Sequence, residues 1–187
     1  MDIAVALINK FRGRPVEAPL LDQPPALTPT FTMTPDQKAI EKKRLLVLEP
    51  STQEFVKSIL VWSRANGIPA ILGETYRSPE DAKKIPTSRT AIDPGKLDWH
   101  QVGRAFHLII KDSRGQIDPA PYKIVGAEVR RRGGEWLGDH VIHGKGGNFV
   151  DLAHFEYHPG MILWQYRTSP LATKELAQAE KRASKYA

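Results

Sequence analysis

An α+β domain is the fold this sequence predicts, and three observations carry that prediction. Segments with helically spaced apolar residues and segments rich in β-branched and aromatic residues both occur, with no regular strand–helix–strand repeat. The chain has 187 residues, 41% of them hydrophobic and 26% charged, enough for one domain with a sizeable core. Ahead of the patterned region lies a stretch dense in proline, with Pro15, Pro19, Pro24, Pro25, Pro29 and Pro35. Proline fixes φ and removes an amide donor, so this stretch is expected to be extended.

Taken in order, residues 1–11 have the pattern of a short amphipathic helix, and residues 1–33 together form an N-terminal arm or tether. Such an arm is either a linker or a segment that lies along a partner and orders there. Residues 34–187 are assigned to one domain. Thr34-Pro35 marks a helix start, with Thr as N-cap and Pro at the first helical position, and the helix covers about 35–46. Pro50 closes it off, and Ser51 opens a second helix with a capping box to Glu54. Phe55, Val56, Ile59, Leu60 and Trp62 form its apolar stripe, and Asn66-Gly67 ends it in a left-handed cap.

A strand is expected over residues 68–77, a short helix from Ser78-Pro79-Glu80, and a loop over 86–99. A second strand runs from Arg104 to Lys111 and turns at Asp112-Ser113-Arg114-Gly115. A helix over about 121–132 stops at Gly133-Gly134, and residues 135–148 form a loop or hairpin holding His140 and His143. Strands are expected over about 153–158 and 161–167, and Ser169-Pro170 starts a polar, alanine-rich C-terminal helix.

The chain has no cysteine, which excludes disulfides and thiolate ligands, so a transition-metal site here would use His, Asp or Glu. The net charge is +6, with a pI near 9.5, which favours an anionic partner without choosing among nucleic acid, membrane surface and cell wall. Scattered lysines and arginines with no aromatic-basic motif point away from nucleic acid. No run approaches the roughly 20 apolar residues of a membrane span. Asp2 stands where a signal peptide carries basic residues, so synthesis in the cytoplasm without a signal is expected.

Two stretches concentrate the chemistry. Asp98-Trp99-His100-Gln101-Val102-Gly103-Arg104-Ala105-Phe106-His107 sets two histidines seven residues apart, and Asp151-Leu152-Ala153-His154 answers it downstream. His100, His107 and His154 are candidate ligands of one zinc ion, since a catalytic zinc uses three protein ligands and keeps one open position. Asp151 is the candidate general base, and Arg77 a candidate for binding an oxyanion or a substrate carboxylate. On a regular strand the three-residue offset from Asp151 to His154 would place them on opposite faces, so the chain must turn between them. Taken one at a time, each of these residues also fits a structural or surface role, and spacing alone leaves both readings open.

In order and spacing, Thr75-Tyr76-Arg77-Ser78, His100-x-x-Gly103-x-Ala105-Phe106 and Asp151-x-x-His154-Phe155-Glu156 resemble zinc peptidases of the D-Ala-D-Ala carboxypeptidase (VanY-type) and L-alanyl-D-glutamate endopeptidase group, which includes phage endolysins. The resemblance spans about residues 44–158. It implies a small antiparallel sheet with flanking helices, one zinc, and hydrolysis of an amide in peptidoglycan stem peptides. It also implies His100 and His154 as metal ligands, Asp151 as base and Arg77 as the arginine facing substrate. His107 departs from the pattern, because the family places an aspartate ligand there. Two functions follow as expectations. One is a phage-associated peptidase acting on the cell wall, after lysis or as part of a virion. The other is a catalytically degraded domain of this fold serving as a tail or baseplate component, docked on a phage structural protein through residues 1–33.

Overall fold

The computed structural model describes residues 31–85, 96–139, 142–144 and 147–186. The expected N-terminal helix and most of the arm, much of the loop at 86–99 and the side chains of His140 and His143 lie outside the described residues. Among described residues at the end of the arm, Met33 is buried and Phe31 lies beneath the Arg64 guanidinium, 5.9 Å from ring centroid to charge.

Helix α1 spans Pro35–Val47, with Thr34 as N-cap and Pro at its start, as expected. The cap is reciprocal: the Thr34 side chain accepts from the Gln37 amide, and the Gln37 side chain accepts from the Thr34 amide at 2.8 Å. Helix α2 spans Pro50–Ala65, and its cap lies two residues before the expected Ser51. Pro50 takes the first helical position and Glu49 the cap, its carboxylate accepting from the Thr52 amide and the Ser51 hydroxyl. The capping box from Ser51 to Glu54 therefore does not form, and Glu54 instead pairs with Lys57 at the surface. Thr52, Phe55, Val56, Ile59, Leu60 and Ser63 are buried at helical spacing, while Trp62 packs partly buried at the margin. Gly67 carries the chain onward at φ 72°, the left-handed conformation that glycine adopts without penalty.

The sheet has four antiparallel strands in the order β1 (Ile71–Leu72), β2 (Ala105–Ile109), β6 (His154–Glu156), β3 (Glu135–Trp136). A separate hairpin pairs β4 (Ile142–Gly144) with β5 (Gly147–Phe149), ending one residue past the 135–148 segment expected to be a loop or hairpin. β1 is two residues long where a strand over 68–77 was expected. After Leu72, the Gly73 amide donates to the His107 carbonyl and the His107 amide donates to the Glu74 carbonyl, so two residues face one. That is the arrangement of a β-bulge, which ends regular pairing and re-aims the side chains that follow.

Helices α3 (Pro79–Lys84) and α4 (Pro119–Arg131) are capped by Ser78 and Asp118. Phe106, Leu108 and Phe155 project from the sheet into a core shared with α2 and α4, where Phe55 meets Phe106 edge-on at 6.4 Å. Gly126 on α4 lets Trp136 lie against the helix: a Cβ there would come within 2.2 Å of the indole. The chain over 161–167 is not the expected strand. Leu163–Arg167 is a short helix, α5, that buries Tyr166 and leaves Trp164 exposed. The apolar residues suit a strand locally, but the Tyr166 hydroxyl reaches Glu175 at 2.7 Å, and one helical turn provides that reach. Helix α6, Pro170–Tyr186, packs through Ala172, Glu175 and Ala179.

Candidate metal centre

Strand periodicity divides β2 and β6 into two faces. Phe106 and Phe155 point into the core, so His107 and His154 point to the other side, and the register sets them directly opposite each other. His100 comes from the turn before β2. There the Asp98 carboxylate accepts from the Gln101 amide, and Gly103 at φ 74° lies against Leu48 and Glu49 with no room for a Cβ. Asp151 reaches the same place because the chain turns before β6, as the offset required: its Oδ1 accepts from the Ala153 amide at 3.1 Å.

Three imidazole nitrogens converge. His154 Nδ1 lies 3.3 Å from His100 Nε2 and 3.2 Å from His107 Nε2. Four ligands bound tetrahedrally at zinc–nitrogen lengths stand about 3.3–3.4 Å apart, so these separations fit one such ion. The outward nitrogens are engaged elsewhere: His100 Nδ1–H donates to the Thr75 carbonyl at 3.0 Å, and His154 Nε2–H donates to Glu156 Oε1 at 2.8 Å. His107 Nδ1 lies 3.6 Å from Glu74 Oε2. Burial, then the neighbouring His154, pushes His100 well below the usual histidine range and His107 down to about 4. Both rings are therefore neutral at pH 7, the form that offers a lone pair to a metal. His100, His107 and His154 thus form a group that could hold a metal ion.

Asp151 Oδ2 lies 3.9 Å from His107 Nε2, on the inward side of the group. Arg77 is held by two acids. It donates to both oxygens of Glu74, at 2.9 and 2.7 Å, and to Asp98 at 3.1 Å. These bonds engage three of the five guanidinium N–H groups. The backbone amide of Arg77 faces the His100 carbonyl at 3.4 Å, which places the residue at the edge of the centre.

Glu74, Asp98 and Glu156 have no role in the reading of the sequence, and His158 is there a spare imidazole expected at the surface or in support of the ligands. Glu74 and Asp98 fix Arg77, and Glu156 and His158 lie behind His154. Burial would raise the Glu156 carboxyl, but hydrogen bonds from His154 and His158 overcome it and hold it at about 2. Against burial, the hydrogen bond and charge of Glu156 raise His158 above its ordinary value. A signal for this pair was present: His154, Glu156 and His158 are two apart, the period of one strand face.

No protein-family model matches the chain, and no curated protein does. Among solved structures, the chain is similar to the L-Ala D-Glu endopeptidase ChiX of Serratia marcescens, at 18% identity and a TM-score of 0.49, over 68% of this chain and 90% of that one. Among the described residues, no helix is long and apolar enough to cross a membrane.

Proposed function

We propose that this chain is a zinc-dependent peptidase that hydrolyses an amide bond in peptidoglycan stem peptides. The observation that carries the reading is the convergence of three imidazole nitrogens, with His154 Nδ1 3.3 and 3.2 Å from the other two, beside a carboxylate 3.9 Å from one of them. His100 Nε2, His107 Nε2 and His154 Nδ1 would hold the zinc. The chemistry it supplies in such a site is Lewis acidity toward a carbonyl and acidification of water. Asp151 takes the proton of the attacking water and returns it to the leaving amine. Arg77, aimed by Glu74 and Asp98, meets a substrate oxygen. The substrate class rests on the three sequence motifs and on the basic charge, which suits an anionic wall. In the same proposal the protein is phage-associated, reaches the wall after lysis or within a virion, and docks on a phage structural protein through residues 1–33. The 3.2 Å between the His107 and His154 nitrogens supports this reading over that of a degraded, purely structural domain, which the histidine at position 107 and the long arm suggest.

Elemental analysis of purified protein tests the metal assignment. One zinc per chain is expected, and His154→Ala is expected to lose it, because two histidines rarely retain zinc in competition with water. Undiminished zinc in that variant would contradict the ligand set.

A further inference from the structure

Behind His154 lies a second group of ligand-type atoms, on Glu135, Glu156 and His158. Nearly all of them are already engaged. Glu156 Oε1 accepts from His154 Nε2–H and Oε2 accepts from His158 Nε2–H, both at 2.8 Å. His158 Nδ1–H donates to the Met161 carbonyl at 3.0 Å, and its ring lies flat on Trp99, with centroids 4.3 Å apart and planes within 10°. Glu135 is the outermost member, 3.7 Å from His158 and half-exposed. A metal bound there would have to break the bond between Glu156 and His158 and turn a stacked ring. This geometry is that of a strut and not of a second metal site.

We propose that Glu156, held in place by His158, is a positioning residue for the three-histidine centre: it fixes which nitrogen of His154 faces His100 and His107. The inference rests on the metal-centre reading above. In a neutral imidazole one nitrogen donates and the other accepts. With a carboxylate oxygen 2.8 Å from Nε2, that nitrogen carries the proton, and Nδ1 is left as the lone pair. Nδ1 is the atom that stands 3.3 and 3.2 Å from the other two inward nitrogens. Without the carboxylate, the proton is free to sit on Nδ1 and donate to His100 Nε2, which closes the site to a cation. The Thr75 carbonyl does the corresponding work for His100, through backbone that no side-chain change removes. For His154 the work falls to a side chain, which is why it can be tested. His158 keeps the carboxylate from rotating away, and its own orientation is set by Trp99 and the Met161 carbonyl.

The test uses the full chain and two variants. Glu156→Leu removes the acceptor, whereas Glu156→Gln keeps an acceptor oxygen and drops the charge. In metal-free, 15N-labelled protein, long-range 1H–15N correlation reads the His154 tautomer directly. The wild type and Glu156→Gln are expected to show the proton on Nε2, and Glu156→Leu a shift toward Nδ1. Zinc affinity, measured by competition with a chelator, is expected to fall about 10- to 100-fold in Glu156→Leu and by about the lower figure in Glu156→Gln. A merely structural role would lower the melting temperature and leave the tautomer alone. An unchanged tautomer in Glu156→Leu overturns the inference. Should that variant not fold, a wild-type His154 that carries its proton on Nδ1 overturns it. Titration should end at one equivalent of zinc, and a second equivalent lost in Glu135→Gln would show that the outer group is a site after all. Because the tautomer readout needs no metal, failure of the wild type to bind zinc would count against the zinc reading alone.

Discussion

Asp151→Asn is expected to leave zinc bound and to lower turnover on peptidoglycan peptides by about a hundredfold or more, the usual size of a general-base contribution. The two oxygens of Asp151 have separate duties. Oδ1 accepts from the Ala153 amide at 3.1 Å and holds the turn before β6, and an asparagine oxygen can do the same. Oδ2 faces the inward nitrogen of His107 at 3.9 Å, on a side chain that is one-third exposed and so open to water. The substitution therefore removes the proton acceptor and spares the fold. Steady-state rates paired with zinc analysis check it. A variant within a few-fold of wild type would rule out the base, and loss of zinc along with activity would make Asp151 a ligand instead.

Glu175→Ala is expected to cost about 3 kcal/mol of stability, the lower end of what breaking a buried ion pair costs, because Arg104 keeps Glu49 at 3.5 Å. For a chain of this size that lowers the melting temperature by roughly 10 °C. Arg104 grips Glu175 through two bonds, at 2.8 and 2.7 Å, with both side chains under 10% exposed. The Tyr166 hydroxyl donates to the same carboxylate, so this one residue ties α6 to α5 and to the start of β2. Burial alone would raise the Glu175 carboxyl, but the bonds from Arg104 and Tyr166 hold it below its ordinary 4.5. A carboxylate depressed in the folded state contributes stability that is present above its unfolded value and lost as pH falls through the folded one. The penalty of Glu175→Ala should thus be largest at neutral pH and shrink below about pH 4.5. Thermal melts of the two proteins at pH 7 and in acid check both the size and the trend. A loss under about 1 kcal/mol at pH 7 would show that the pair adds little.

The α2 stripe was legible because its burial follows the helical period, and the caps at Thr34, Ser78 and Gly67 were legible because they are local. The sequence pattern overstates β1, because apolar and β-branched residues cannot announce the bulge at Gly73–Glu74, which depends on where His107 comes to lie. α5 departs from its local pattern for a similar reason: its residues suit a strand, and the long-range bond from Tyr166 to Glu175 goes with a helical turn. Glu175 itself looks like a solvent-facing residue of a polar helix, and only the packing of α6 against Arg104 reveals it as buried. In the centre, residue types and spacing offered His100, His107, His154, Asp151 and Arg77 as candidates. Their meeting depends on β2 pairing with β6, which joins residues 47 positions apart, and no local pattern states that register. The carboxylates behind them, Glu74, Asp98 and Glu156, are common surface residues until the fold turns them inward.

Cleavage of isolated peptidoglycan sacculi by the full-length chain, loaded with one equivalent of zinc, tests the account most directly. Each amide hydrolysed creates one new amino group, so labelling of free amines followed by mass spectrometry of the released fragments both counts the cuts and places them in the stem peptide. The account predicts zinc-dependent release of peptide fragments, abolished by a chelator, restored by zinc, and absent in His154→Ala. Intact sacculi under full zinc occupancy, with no new amines above the His154→Ala control, would contradict it.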